Sequence, residues 1–114
     1  MPTEDERREY PRFTIPVIID AQGISDISLV PEDVSAGGFR VVVSKKPVIG
    51  ESIPCTIQVL GENFQDCRGR VIWSTEISGA PGTWSIGFRV DSAGEETDLL
   101  NAKLKELSVF LRQS

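Results

Sequence analysis

Histidine is absent from this 114-residue chain, which also contains only two cysteines, one methionine and one tyrosine. Without histidine, general acid–base catalysis would fall to carboxylates or to a perturbed lysine. Ser35 has no evident base to activate it, and the sequence contains no phosphate-binding P-loop and no cluster of metal ligands. We therefore expect a protein that is not an enzyme and that holds no metal and no cofactor.

Long hydrophobic runs are also missing, since runs such as Val41-Val42-Val43 span only a few residues. A transmembrane helix needs about 20 apolar residues. The N-terminus, Met1-Pro2-Thr3-Glu4-Asp5-Glu6, is acidic and polar, which does not fit a secretory signal. These features predict a cytoplasmic protein without membrane insertion.

Positive charge is in the minority, with 12 Lys and Arg against 17 Asp and Glu and a formal net charge of −5. DNA and RNA are usually bound through a basic face, so we expect no nucleic acid partner. The charge is nevertheless uneven, because Arg7, Arg8 and Arg12 follow directly after Glu4-Asp5-Glu6. This cluster is either a local patch for a small anion or an ordinary solvated tail.

The two cysteines, Cys55 and Cys67, lack the CxxC spacing that is typical of zinc sites. Both alternate with polar residues along the chain. We interpret them as small buried hydrophobic residues in a reducing compartment.

Alternation of apolar and polar residues with a period of two dominates the middle of the chain and predicts half-buried strands. The inward positions are Phe13 to Ile19, Phe39 to Val43, Ile53 to Val59, Cys67 to Trp73 and Trp84 to Val90, each taken at every second residue. A further strand over about Ile24 to Val34 brings the number to six. Turn signals separate these segments, among them Gly61-Glu62-Asn63 and Gly79-Ala80-Pro81-Gly82. Short strands at such spacing indicate a closed or nearly closed antiparallel barrel.

The period changes near residue 95, where Leu100, Leu104, Leu107 and Leu111 form one helical stripe. We predict a C-terminal helix over about 95–112, begun at Glu95-Glu96 because negative charge is favoured at a helix N-terminus. The stripe covers an open end or side of the barrel or, in the alternative, forms a dimer interface. The predicted organisation is a flexible arm over residues 1–12 and a single domain over residues 13–114.

Two motifs point beyond a small barrel. Arg8-Glu9-Tyr10-Pro11-Arg12 is an RxxxR preceded by Arg7, and Asp33-Val34-Ser35-Ala36-Gly37-Gly38 is a DxSxxG about 20 residues later. In this order they resemble the two signature motifs of the PilZ family. Gly69-Arg70-Val71-Ile72-Trp73 and Ile86-Gly87-Phe88-Arg89-Val90 resemble later strands of that family, so the resemblance covers nearly the whole chain.

The resemblance implies a mainly β fold, a six-stranded antiparallel PilZ-type barrel with a C-terminal α-helix, and a bacterial receptor for cyclic di-GMP. It also implies which residues contact the ligand. The arm arginines Arg7, Arg8 and Arg12 would contact phosphate and base, since the guanidinium fork matches guanine O6 and N7. Asp33 and Ser35 would contact the opposite edge of guanine, and Gly37 and Gly38 would let the backbone approach the ligand.

Trp73 has two readings. It alternates with Val71 and Cys67, which favours a position in the core. The alternative is that it stacks on guanine, and on that interpretation Trp73 completes the predicted ligand site. Trp84 is predicted in the core or at the barrel rim. In the family, the residue before RxxxR influences whether one nucleotide or a stacked pair is bound, so Arg7 favours two cyclic di-GMP molecules per chain.

The function implied is that of a receptor and adaptor that changes conformation on binding and signals to an unidentified effector protein. The alternative is a PilZ-like protein interaction module that does not depend on nucleotide. Degenerate members of that kind typically lack the arginines or the DxSxxG, both of which this chain keeps.

Taken singly, each motif also has a purely structural interpretation. Asp33-Val34-Ser35 would form a turn, and Arg8 and Arg12 would form surface ion pairs. We expect a monomer or a weak dimer.

Overall fold

The computed structural model describes residues 15–35 and 38–112. Over these residues the chain forms one helix and six strands: β1 (Val17–Asp20), β2 (Asp33–Ser35), β3 (Gly38–Val43), β4 (Ile53–Val59), β5 (Glu62–Glu76), β6 (Trp84–Ala93) and α1 (Thr97–Arg112). All neighbouring strands are antiparallel, in the order β1-β4-β5-β6-β3-β2. The sheet curls into a half-barrel, which confirms the predicted mainly β fold of six antiparallel strands and a C-terminal helix.

The concave face of this sheet holds the core. Alternate residues of each strand point inwards, and the largest fully buried side chains include Phe64, Phe88 and Ile57. An isolated bridge joins β1 to the segment before β2, where Ile19 N–H donates to Leu29 O at 2.8 Å and Leu29 N–H donates to Ile19 O at 2.9 Å. The segment leading into β2 therefore bonds back to β1.

The predicted strand over about Ile24 to Val34 is wrong for most of its length. Only Asp33–Ser35 is a strand, and Leu29 makes an isolated bridge to Ile19. A turn replaces the expected extended chain, since Ile24 N–H and Ser25 N–H both donate to Ala21 O at 3.0 Å. The count of six strands is still right, because the last residues of this segment do pair with β3.

The longest strand, β5, begins five residues earlier than expected, at Glu62. The chain turns at Leu60 and Gly61, whose φ angles are 52° and 84°. Positive φ at both central residues is the requirement of a two-residue type I′ hairpin, so pairing starts directly after the turn. Two register shifts interrupt the pairing of β5 with β6, one between Arg68 and Gly69 and one between Val71 and Trp73.

Helix α1 begins where a glycine ends β6. Gly94 has a φ of 60°, and the Thr97 hydroxyl donates to Gly94 O while accepting from Ala93 N–H, both at 2.9 Å. Leu100, Leu104 and Leu107 are buried as the stripe predicts, and the helix packs on β2 and β6. Trp84 is partly buried against the core, in agreement with a position at the barrel rim. Within the described ranges no helix has the length and apolar content needed to cross a membrane.

Candidate functional site

A row of four residues crosses the convex face of the half-barrel, and we call it the outer row. Asp33 of β2 lies opposite Arg40 of β3, Arg40 lies opposite Gly87 of β6, and Gly87 lies opposite Trp73 of β5. Residues directly opposite each other in a sheet have Cβ positions only about 4.5–5.5 Å apart. The outer row therefore places an acid, a guanidinium, a bare backbone and an indole side by side.

Trp73 reaches the outer row because of a β-bulge. Val71 pairs with Phe88 and Trp73 pairs with Gly87, so Ile72 is an extra residue on β5. One extra residue shifts the following side chains to the other face of the sheet. The reading of Trp73 as a core residue is wrong for this reason: Val71 is fully buried, whereas Trp73 is 40% exposed.

The indole of Trp73 lies against the backbone of Gly87. A Cβ at position 87 would overlap the ring and come within 2.7 Å of Trp73 Cε2. The absence of a side chain there allows the indole to rest close to the sheet between β5 and β6. The glycine thus positions the aromatic ring, and its contribution was not foreseen from the sequence.

A shallow pocket of about 220 Å³ lies along the outer row. Three residues of the predicted site, Asp33, Gly38 and Trp73, line it together. Its remaining lining residues are Phe39, Arg40, Ile72, Gly87 and Phe88. The structure therefore brings together residues that are 40 positions apart in the chain.

Asp33 is exposed at the start of β2, and one of its carboxylate oxygens, Oδ1, accepts a hydrogen bond from Val34 N–H at 3.0 Å. This bond orients the carboxylate and leaves Oδ2 available for a ligand. Ser35 pairs with Gly38 across the β2–β3 hairpin, and Gly38 lines the same pocket as Asp33. Arg7, Arg8, Arg12 and Gly37, which complete the predicted site, lie outside the described residues.

Arg40 is a residue of this site that the sequence analysis missed. It lies two positions after the last glycine of DxSxxG, between the buried residues Phe39 and Val41. The hairpin register alone could have revealed it, because a strand returning from Gly38 places Arg40 opposite Asp33. Arg40 Nη1 lies 2.9 Å from Glu32 Oε1, and Glu32 N–H also donates to Arg40 O at 2.8 Å.

A second row, formed by Gly38, Arg89 and Arg70, runs beside the outer row. Arg70 Nε lies 3.4 Å from Asp91 Oδ2. Across both rows and their ion-pair partners, three arginines (Arg40, Arg70 and Arg89) stand beside three carboxylates (Glu32, Asp33 and Asp91). This part of the surface has no surplus of positive charge.

The cysteines lie away from the outer row, directly opposite each other on β4 and β5. Both thiols are free and buried, as expected for small hydrophobic residues. Burial raises the pKa of Cys55 from 9.0 to about 12, and the neighbouring Cys67 adds to the rise. Burial also raises the pKa of Cys67, whose Sγ donates to Phe64 O at 3.2 Å. Over the part of the chain that the structure describes, no group of three or more Cys, Asp or Glu is placed to hold a metal ion.

Comparison with known protein families agrees with this fold. The family model for the PilZ domain matches residues 6–108 of the chain, and the chain therefore belongs to the PilZ domain family. PilZ domains are binding and adaptor domains rather than enzymes, and the family binds cyclic di-GMP. Neither the curated proteins nor the solved structures contain a match to the chain.

Proposed function

We propose that this protein is a cyclic di-GMP receptor whose nucleotide binds on the convex face of the half-barrel, over the outer row. The observation that carries the proposal is the pocket that Asp33 of the DxSxxG motif and Trp73 line together. Asp33 is on β2 and Trp73 is on β5, three strands away in the sheet. The proximity of this carboxylate and this indole on an exposed surface suits a flat, polar-edged ligand such as guanine.

Each group in the site has a partner on the nucleotide. The Asp33 carboxylate accepts hydrogen bonds from guanine N1–H and N2–H, and these charge-assisted bonds are stronger than neutral ones. The exposed face of the Trp73 indole stacks on a guanine ring, a contact worth about 1–3 kcal/mol per base. We assign a hydroxyl contact to Ser35 and close backbone approach to Gly37 and Gly38.

The chain enters β1 beside the segment that leads to Asp33. Ile15 and Val30 line one pocket, and Val30 lies three residues before Asp33. Because Ile19 and Leu29 pair in antiparallel fashion, the stretch from Ile19 back to Ile15 and the stretch from Leu29 on to Asp33 lead in the same direction. This placement supports a contact between the arm and the site.

The charges around the outer row support a role for the arm. Cyclic di-GMP has two phosphates, and the described arginines are balanced by neighbouring carboxylates. We assign phosphate and base contacts to Arg7, Arg8 and Arg12 of residues 1–12. Binding then brings the arm onto the outer row, and this conformational change presents a new surface to an effector protein.

Arg7 extends this proposal to two ligand molecules per chain. A stacked pair brings four phosphate charges into one site, and a third guanidinium neutralises them better than two and can continue the stack of bases. Titration of the unmodified protein should then saturate near two equivalents. Arg7→Leu should lower the stoichiometry to near one without abolishing binding, and saturation of the unmodified protein at one equivalent would contradict the pair.

Isothermal titration calorimetry with cyclic di-GMP tests the receptor itself. Arg8→Ala, Arg12→Ala and Asp33→Ala each remove charge-assisted bonds of roughly 1.5–3 kcal/mol, which is about one to two decades of affinity. Lys45→Ala is the control, because it removes a cation whose ion pair with Asp26 lies outside the pocket. Unchanged affinity in both arginine variants would remove the arm from the site. Failure of the unmodified protein to bind would favour the nucleotide-independent interaction module instead.

A further inference from the structure

Arg40 occupies the centre of the outer row, where the RxxxR and DxSxxG motifs assign no residue. It lies directly between the carboxylate of Asp33 and the bare backbone of Gly87, against which the Trp73 indole rests. Its neighbours Phe39 and Val41 are 4% and 0% exposed, so their packing fixes the outward direction of Arg40. A ligand that touched both Asp33 and Trp73 would have to pass over its guanidinium.

Glu32 holds the Arg40 side chain in this position. The ion pair of 2.9 Å is anchored by the backbone hydrogen bond from Glu32 N–H to Arg40 O, so the two residues cannot drift apart. The side chain of Arg40 is 45% exposed and that of Glu32 is 50% exposed. Ion pairs with this much exposure contribute little to stability, so a ligand can break or share this one at small cost.

The guanidinium has five N–H donors, and one bond to Glu32 leaves others available. Guanine carries N1–H, N2–H and O6 side by side on one edge, with N7 next to O6. When Asp33 accepts from the two N–H groups, O6 points away from Asp33 along the same edge. Arg40 is the adjacent residue in the row, at the spacing of opposite Cβ atoms of about 4.5–5.5 Å.

We propose that Arg40 is a further base-contacting residue of the nucleotide site, donating to O6 of the guanine that Asp33 holds, and that Glu32 competes with the ligand for it. This inference rests on the proposed function. It adds a specificity element, since adenine presents an amino donor where guanine presents O6 and would meet the guanidinium unfavourably. It also gives Glu32 a defined role as an internal competitor.

Calorimetric titration of purified variants with cyclic di-GMP tests the contact. Arg40→Ala should weaken binding roughly 10- to 100-fold. Arg40→Lys keeps the charge but loses the planar fork, and it should recover only a small part of that loss. Lys45→Ala is the matched control for the loss of one cation and should bind as the unmodified protein does. Full recovery of affinity by Arg40→Lys would show a general attraction in place of a base contact and would overturn the proposal.

The competition is tested by Glu32→Gln, which should bind roughly two- to fivefold more tightly because Arg40 is released. Asp26→Asn produces the same change in net charge in another exposed ion pair and should have no comparable effect. In an Arg40→Ala background the gain from Glu32→Gln should disappear, since a double-mutant cycle isolates the coupling between the two residues. A gain that persists without Arg40 would reject the competition.

The two proposals fail in distinguishable ways. If the unmodified protein binds cyclic di-GMP and Arg40→Ala binds it equally well, the role of Arg40 is rejected and the receptor stands. If the unmodified protein does not bind, the receptor is rejected and the role of Arg40 with it.

Discussion

Gly69 on β5 and Gly87 on β6 each face an aromatic ring, and the position of that ring decides what an added methyl group would do. A Cβ on Gly69 would come within 2.6 Å of Phe88 Cζ and 2.7 Å of the backbone oxygen of Arg89. Phe88 is 1% exposed and cannot move aside. A Cβ on Gly87 would meet the Trp73 indole, which is partly exposed and can swing outwards.

We therefore expect different results from the two alanine substitutions. Gly69→Ala should lower the free energy of unfolding by about 1–3 kcal/mol or more, because it overpacks the core. Gly87→Ala should cost less stability but displace the indole, shifting the tryptophan emission to longer wavelength and weakening cyclic di-GMP binding. Urea unfolding and fluorescence in a Trp84→Phe background measure these effects. Unchanged emission and affinity in Gly87→Ala would show that the glycine does not position the ring.

Some residues of the candidate site could be predicted from the sequence and others could not. Asp33 and Gly38 belong to a motif with fixed spacing, and the structure places both at one pocket. The orientation of Trp73 was hidden because one extra residue, Ile72, reverses the alternation and leaves no mark in the hydrophobic pattern. Arg40 was missed because it belongs to neither motif, and only the register of the hairpin shows which acid it faces.

The strands show the same distinction at the scale of whole elements. β3, β4 and β6 alternate regularly and lie where the pattern predicted them. The segment from Ile24 to Val34 also contains apolar residues, but its inward positions Ile24 and Leu29 are five residues apart, which fits neither period. A turn at Ala21 and a single bridge at Leu29 bury these side chains without a continuous strand.

Helix α1 is expected to stabilise the site as well as the core. Leu104 is fully buried where the helix packs on β2 and β6. Leu104→Ala should lower the free energy of unfolding by about 2–5 kcal/mol. It should also weaken cyclic di-GMP binding, because the support of the three-residue strand that carries Asp33 and Ser35 is loosened. Urea denaturation measures the free energy of unfolding, and calorimetry measures the affinity for cyclic di-GMP.

Val109 on the same helix supplies the control for this change. Its side chain is 47% exposed, so Val109→Ala should alter the free energy of unfolding by no more than about 0.5 kcal/mol. It should leave binding unaffected. A Leu104→Ala variant that is strongly destabilised, yet binds cyclic di-GMP with full affinity when folded, would show that the helix does not support the ligand site.

The stability of the whole molecule should depend on pH through Cys55. In the unfolded chain this thiol ionises near 9.0, whereas burial in the folded protein raises its pKa to about 12. Below pH 9 both states hold the proton, and the thiol adds no pH dependence. Between the two values the unfolded chain binds fewer protons, so the free energy of unfolding falls by up to about 1.4 kcal/mol per pH unit.

Urea unfolding at pH 7.5 and pH 10.5 measures this loss. Lysines and other groups titrate in the same range, so the informative quantity is the difference between the unmodified protein and Cys55→Ala. We expect the unmodified protein to lose roughly 2 kcal/mol more than the variant over this interval. Equal losses in both would mean that Cys55 ionises as readily in the folded state as in the unfolded one.

The extra residue at Ile72 has a consequence for how relatives of this chain should be aligned. Deleting Ile72 would remove this register shift and leave Trp73 opposite Gly87 on the convex face, because the residue directly after the inward-facing Val71 faces outwards. A homologue that lacks the extra residue would therefore carry its aromatic ring on the same face, directly after its counterpart of Val71. An alignment that places this gap in the nearby loop at Gly79 would equate the ring of the homologue with Ile72 and miss the match to Trp73. The gap belongs at the bulge, where the two aromatic rings align.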